Sequence, residues 1–147
     1  MAGARKAADL FCGLGSFALP MVEHVPVLAA DAADEAITGL RAAVLRAPGL
    51  KPLEAQARDL FREPVSATEL KGCDVIVFDP PRAGALEQAA EIARSGASRV
   101  VGVSCNPATF ARDAQTLTAG GYRLDRVTPI DQFLWSPHIE LVAIFRR

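Results

Sequence analysis

Seven short apolar runs punctuate the chain, each set off from the next by a more polar stretch. They lie at 7–11, 25–31, 53–59, 74–80, 99–105, 122–130 and 139–146. Val75-Ile76-Val77-Phe78 is apolar without interruption, which suits a strand covered on both faces of a parallel sheet. Helical patterning fills the intervals at 16–24, 34–47, 65–71, 85–96 and 107–121. The last two have good stops in Gly96 and Gly120-Gly121, and Pro107 suits the first turn of the second. This alternation predicts an α/β doubly wound sheet with right-handed crossovers and a ligand site at the strand C-terminal ends. After Gly121 the pattern changes. Two strand-like runs are joined by a segment too short for a crossover helix, so they are expected to pair antiparallel. The predicted fold is a Rossmann-like, seven-stranded mixed sheet with an antiparallel closing pair.

Composition narrows the class. The chain has 147 residues, 50% hydrophobic and 22% charged, which fits one globular domain with a single core. No apolar run approaches the roughly 18–20 residues that span a bilayer. The N-terminus has no long apolar stretch before a cleavage site, so a cytoplasmic location is the default expectation. Cys12, Cys73 and Cys105 are odd in number and widely spaced, which argues against a disulfide framework and against a metal site. The net charge of −1 matters for partners. A domain that grips nucleic acid by itself usually carries a basic stripe, so any such grip is expected to come mostly from elsewhere.

Candidate chemistry sits where strands end. In "DLFCGLGSFALP", Gly13, Gly15 and Ala18 follow the first strand as G-x-G-x-x-A, a form shared by dinucleotide and S-adenosylmethionine sites. A plain tight turn is the alternative. Asp31 ends the second strand, where a carboxylate can bind ribose hydroxyls. Asp9 precedes the glycines; it can meet a cationic amino group and would repel a pyrophosphate, or it is merely a solvated or capping carboxylate. Asp59 ends the third strand as an adenine contact or as a helix cap. Asp79 stands at the tip of the fourth strand, before Pro80-Pro81-Arg82 fix the chain sharply as it leaves the sheet. Cys105 ends the fifth strand in "VSCNPATF". Cysteine is intrinsically nucleophilic, and a helix starting at Pro107 offers N–H groups to an anionic sulfur. The competing fate for any cysteine is the core, and that is the reading for Cys12 and Cys73.

"DLFCGLGSFALP", "FDPPRAGA", "VSCNPATFARD" and "DQFLWSPHIELVAIF" together resemble, in order and spacing, the catalytic domain of S-adenosylmethionine-dependent RNA (uracil-5-)-methyltransferases. The resemblance covers nearly the whole chain. It implies a class I methyltransferase fold and S-adenosyl-L-methionine as cofactor, held by Asp9, Phe11, Gly13, Gly15, Asp31, Asp59 and Asp79. It implies an rRNA or tRNA substrate, met by Asp79, Pro80, Arg82 and Asn106. Cys105 maps onto the family's nucleophile and Glu140 onto the base that removes the C5 proton. Trp135, Pro137 and His138 flank Glu140 and are expected to thin its hydration, with His138 a loop residue beside the site. Family members generally carry an N-terminal RNA-binding part as well. The expectation is a catalytic domain over 1–147 without that part, with a separate RNA-binding chain as one source of the missing grip.

Two other readings compete. One is a domain that binds S-adenosylmethionine but catalyses nothing alone and serves a partner subunit. The other is an NAD-dependent dehydrogenase, which leaves "DPPR" and "SCNP" unexplained.

Overall fold

The computed structural model describes residues 3–131, 135–136 and 138–147. Its strands are β1 (Ala7–Leu10), β2 (Val27–Asp31), β3 (Leu53–Ala57), β4 (Val75–Phe78), β5 (Arg99–Ser104), β6 (Arg123–Ile130) and β7 (Glu140–Arg146). The helices are α1 (Ala18–Val22), α2 (Asp34–Arg46), α3 (Leu86–Ser95) and α4 (Pro107–Ala119). They form one seven-stranded sheet in the order β3-β2-β1-β4-β5-β7-β6. Pairs from β3 to β5 are parallel, and β7 runs antiparallel to both β5 and β6. The predicted closing pair therefore forms, but its second strand inserts between the first and β5. Strand order reverses between β1 and β4, the topological switch point where such sheets bind ligands.

Side-chain alternation divides the core into two layers. Ala7, Val27, Ala29, Val75 and Val77 face Met21, Val22, Ile37 and Leu40 of α1 and α2. Their neighbours Ala8, Leu10, Leu28, Ile76 and Phe78 face Ile92 of α3 and Phe110 and Leu117 of α4. Burying each large side chain contributes about 1.5–3 kcal/mol, so the central parallel strands are well anchored.

Helix ends follow the expected signals. Gly96 closes α3 in the left-handed conformation, φ 80°. Pro107 opens α4, and the Asn106 side chain caps it by accepting the Ala108 N–H. The stretch at 65–71 departs from its helical expectation and forms turns. Its backbone is committed sideways: buried Gln88 of α3 accepts from Val65 N–H at 2.8 Å and donates to Val65 O at 3.0 Å. Glu91 accepts from Ala67 N–H at 2.8 Å, and Gly72 at φ 88° turns the chain away. These side-chain bonds to the backbone compete with the intrahelical bonds that a short helix here would make.

Candidate active site

The site is assembled from strand tips. The parallel ladder continues one step past β4, where the Asp79 N–H donates to Leu10 O at 3.1 Å, holding Asp79 beside the end of β1. The β5–β7 ladder ends with Ser104 opposite Leu141, so its next step sets Cys105 opposite Glu140. Asp79, Cys105 and Glu140 line one cavity of about 400 Å³, together with Phe17, Val103, Ile130 and Val142. A thiol and two carboxyl groups thus converge from three separate stretches of sequence.

Local bonding fixes how Cys105 is presented. Ser104 Oγ accepts from Asn106 N–H and donates to Asn106 O, both at 3.2 Å. Asn106 Oδ1 caps α4, and its Nδ2 donates to Arg82 O at 3.0 Å. The Asn106 side chain thus joins "SCNP" to "DPPR" through Nδ2 while capping its own helix through Oδ1. Thr109 Oγ1 donates to Arg82 O at 3.2 Å, and Arg112 Nη2 donates to Ala83 O at 3.0 Å. Buried Asp113 accepts from Ala85 N–H at 2.6 Å. The packing is close enough that a Cβ at Gly84 would stand 2.8 Å from Asp113 Oδ2. The two motifs form one bonded unit, with half-buried Cys105 at its edge.

At the mouth of the site, exposed Arg82 reaches His138, with Nη1 3.2 Å from Nδ1. Pro80 is buried against the sheet end. Trp135, expected to shield Glu140, is fully exposed, and Pro137 lies outside the described residues.

The glycine loop forms the second part. Gly13 (φ 51°) and Gly15 (φ 91°) adopt left-handed conformations, and a Cβ at Gly15 would stand 2.5 Å from Leu40. Asp31 braces this loop, accepting from Gly13 N–H and Ala33 N–H, each at 2.9 Å. Phe11 holds the strained value φ 62°, with its ring 5.6 Å from that of Phe61. Asp59 accepts from Phe61 N–H at 3.0 Å, so it opens a turn rather than a helix.

Asp9 is wholly buried, and neither carboxylate oxygen has a hydrogen-bond partner among the described residues. Burial chiefly, then the charges of Asp79 and Asp31, push it up to about 7; the Ala18 N–H, short of a proper hydrogen bond, offsets part of this. Asp79 is raised in the same way, first by burial and then by Glu140. A buried carboxylate without a partner is costly, and it suits a cationic group arriving with a ligand.

Sequence reasoning missed Phe61, half exposed at the end of β3, and the Arg112–Asp113 clamp. The second had a signal: Asp113 is a charged residue on the face of α4 that carries Phe110, Ala114 and Leu117.

Fold and site together define a class I, Rossmann-like methyltransferase. The chain belongs to the tRNA (uracil-5-)-methyltransferase family, which it matches over residues 3–147. It is 59% identical over 145 residues to an uncharacterized RNA methyltransferase of Caulobacter vibrioides, covering 99% of this chain and 35% of that one. It is 41% identical to the 23S rRNA (uracil(1939)-C(5))-methyltransferase of Pseudomonas putida, covering 95% of this chain and 31% of the relative. The crystal structure of the Pyrococcus abyssi tRNA (uracil-54, C5)-methyltransferase, in complex with S-adenosyl-L-homocysteine, is similar with a TM-score of 0.79 and 34% identity. That match covers 96% of this chain and 34% of the other. The chain thus spans about a third of the length of these relatives. Among the described residues no helix is long and apolar enough to cross a membrane.

Proposed function

We propose that this chain is the catalytic domain of an S-adenosylmethionine-dependent RNA methyltransferase acting on C5 of uridine. One observation carries the reading: Cys105, Glu140 and Asp79 line a single cavity.

The residues present fit the cofactor. Asp9, Asp31 and Asp79 gather negative charge around the glycine loop, which suits a ligand bearing an ammonium and a sulfonium and disfavours a pyrophosphate. Asp9 would meet the ammonium, Asp31 the ribose, and Asp59 the adenine amino group beside Phe11. When bound, S-adenosylmethionine supplies an electrophilic methyl group; all other chemistry falls to the chain.

C5 of uracil is a weak nucleophile. The Cys105 thiolate forms a bond to C6, and the displaced electron pair gives an enolate whose C5 is nucleophilic. Once methylated, C5 carries a hydrogen that must leave. Glu140 takes that proton, the freed pair restores the C5–C6 double bond, and the C6–S bond breaks to return the thiolate. Asp79, Pro80 and Arg82 are assigned to the base's surroundings, with Asn106 holding their loop. Both rRNA and tRNA remain candidate substrates, since the Pseudomonas relative is named for the first and the Pyrococcus relative for the second. Grip on the RNA comes largely from outside these residues, in keeping with a net charge of −1.

Calorimetry with S-adenosylhomocysteine and with NAD tests the cofactor half, and nuclease digestion of methylated RNA tests the product. Binding of S-adenosylhomocysteine alone, with 5-methyluridine in the digest, is expected. NAD binding without S-adenosylhomocysteine binding would sink the proposal. Cofactor binding without 5-methyluridine, even beside an added RNA-binding chain, would favour a binding domain that serves a partner.

A further inference from the structure

The connection between β6 and β7 springs from the rim of the cavity. Ile130 closes β6, Glu140 opens β7, and the two are partners across the ladder. Both line the cavity that also holds Asp79 and Cys105. Trp135 is the midpoint of this connection in sequence. Five residues reach at most about 18 Å, so its backbone stays close to the rim.

Trp135 is unusual in two ways. Its side chain is fully exposed, more so than any other large apolar side chain among the described residues. Its backbone is held at φ 63°, a value at which a bulky residue is an outlier. The one other described non-glycine residue with positive φ is Phe11, beside the glycine loop. Strain of this kind persists only where the surroundings over-determine it, and it gathers at binding sites. An indole ring held out in water also forgoes a large burial that a flat ligand would restore.

The neighbours indicate which ligand. Ser136 Oγ accepts from His138 N–H at 3.2 Å, and His138 Nδ1 lies 3.2 Å from Arg82 Nη1. The segment is thereby tied to a guanidinium at the mouth of the cavity. An aromatic face near a cation is how single-stranded nucleic acid is gripped: the ring stacks on a base and the cation meets the backbone. A protein partner would call for a broad apolar patch, whereas the exposed residues described on either side, Asp131 and His138, are polar.

We infer that Trp135 is a stacking platform for an unpaired base of the RNA, within a few nucleotides of the one that enters the cavity. Arg82 meets the backbone between them. The base must be unpaired, because the faces of a base inside a duplex are already covered by its neighbours. The inference takes from the proposed function only that the substrate is RNA, and it does not depend on the chemistry at C5.

Trp135 is the chain's single tryptophan, so tryptophan fluorescence reports on it alone, without cofactor or catalysis. Titration with a short single-stranded RNA at low salt should quench this emission saturably, beyond the collisional quenching of free N-acetyltryptophanamide by the same RNA. The same sequence as a duplex should quench several-fold less. Trp135→Ala should weaken binding of the labelled single strand, read by anisotropy, by about fivefold to a hundredfold. Trp135→Phe should keep most of the affinity, and both variants should bind S-adenosylhomocysteine as wild type does. No saturable quenching up to about 1 mM RNA overturns the inference. Equal quenching by the duplex, or wild-type RNA affinity in Trp135→Ala, overturns it as well. An emission shielded from iodide in the free protein, together with a sedimenting dimer, overturns it in favour of a second copy. Saturable quenching without 5-methyluridine in the digest would uphold the stacking platform and count against the proposed reaction instead.

Discussion

The parallel half of the sheet and its antiparallel end obey the same ladder rules but differ in cover. Every residue of β1 and β4 is buried, whereas every residue of β6 is exposed. In the parallel half, helices lie on both faces and the loops are braced internally, as Asp31 braces Gly13. The antiparallel end brings Cys105 and Glu140 to one cavity. The cysteines repeat the contrast. Cys12 and Cys73 are buried, and burial raises both thiols, Cys12 to about 12. Cys105, at the junction of the two regions, is half-buried and lines the cavity. On the proposed function, the cofactor lies over the half whose strands are buried, and the bond-making groups lie at the start of the more exposed half.

The sharpest way to break this division is at Cys105. Cys105→Ala should lower methyl transfer at least about a thousandfold while leaving S-adenosylhomocysteine affinity and melting temperature near wild type. A parallel loss of cofactor affinity would show that the halves are not separable.

The bonded unit between them comes next. Asp113→Ala removes a buried carboxylate from the Ala85 N–H and leaves Arg112 without its neighbour, costing about 2–4 kcal/mol in urea unfolding. Activity should fall as well, because the loop carrying Asp79 loses its support.

Asp9 distinguishes the cofactor half by pH. Its folded value of about 7 lies above its ordinary 3.8, so the folded protein holds this proton more tightly than the unfolded chain. The contribution of Asp9 to stability without ligand should be fully present below about pH 4 and decline up to pH 7, by on the order of 4 kcal/mol. Asp9→Asn should flatten that slope and weaken S-adenosylhomocysteine binding. Because a cationic group displaces the proton, wild-type affinity should rise by up to about tenfold per pH unit between 4 and 7. Calorimetry in buffers of different ionisation enthalpy reads the released proton directly.

The smallest effect is expected at Glu69, held down to about 2 by hydrogen bonds from Arg58 and Ser66. Its stabilisation is present above its ordinary 4.5 and is lost as pH falls toward 2. The Glu69 side chain is 40% exposed, so Glu69→Gln should cost under about 1 kcal/mol at neutral pH and nothing at pH 2.

What could be read from the chain alone follows from what a pattern encodes. The continuous run of β4 and the Pro107 and Gly96 boundaries were legible because period and punctuation are local properties. The segment at 65–71 was not, since its conformation is decided by Gln88 and Glu91, more than twenty residues away. Motif spacing found Cys105, Glu140 and Asp79, which the fold gathers at one cavity. The resemblance assigned Asn106 to the substrate, and it could not reveal that the side chain also bonds Arg82 O and the Ala108 N–H. Phe61 carried no motif. Only the turn begun by Asp59 brings its ring to Phe11.

In the proposed reaction Cys105 bonds to C6 of a uracil and Glu140 then removes the proton at C5. A short RNA containing 5-fluorouridine tests the bond to C6, because fluorine cannot leave C5 as a proton and the adduct is trapped. Mass spectrometry after incubation with S-adenosylmethionine should find this RNA joined to the peptide bearing Cys105, in wild type and in Glu140→Gln, and no adduct in Cys105→Ala. An adduct that persists in Cys105→Ala, or one mapped to another residue, would contradict the account.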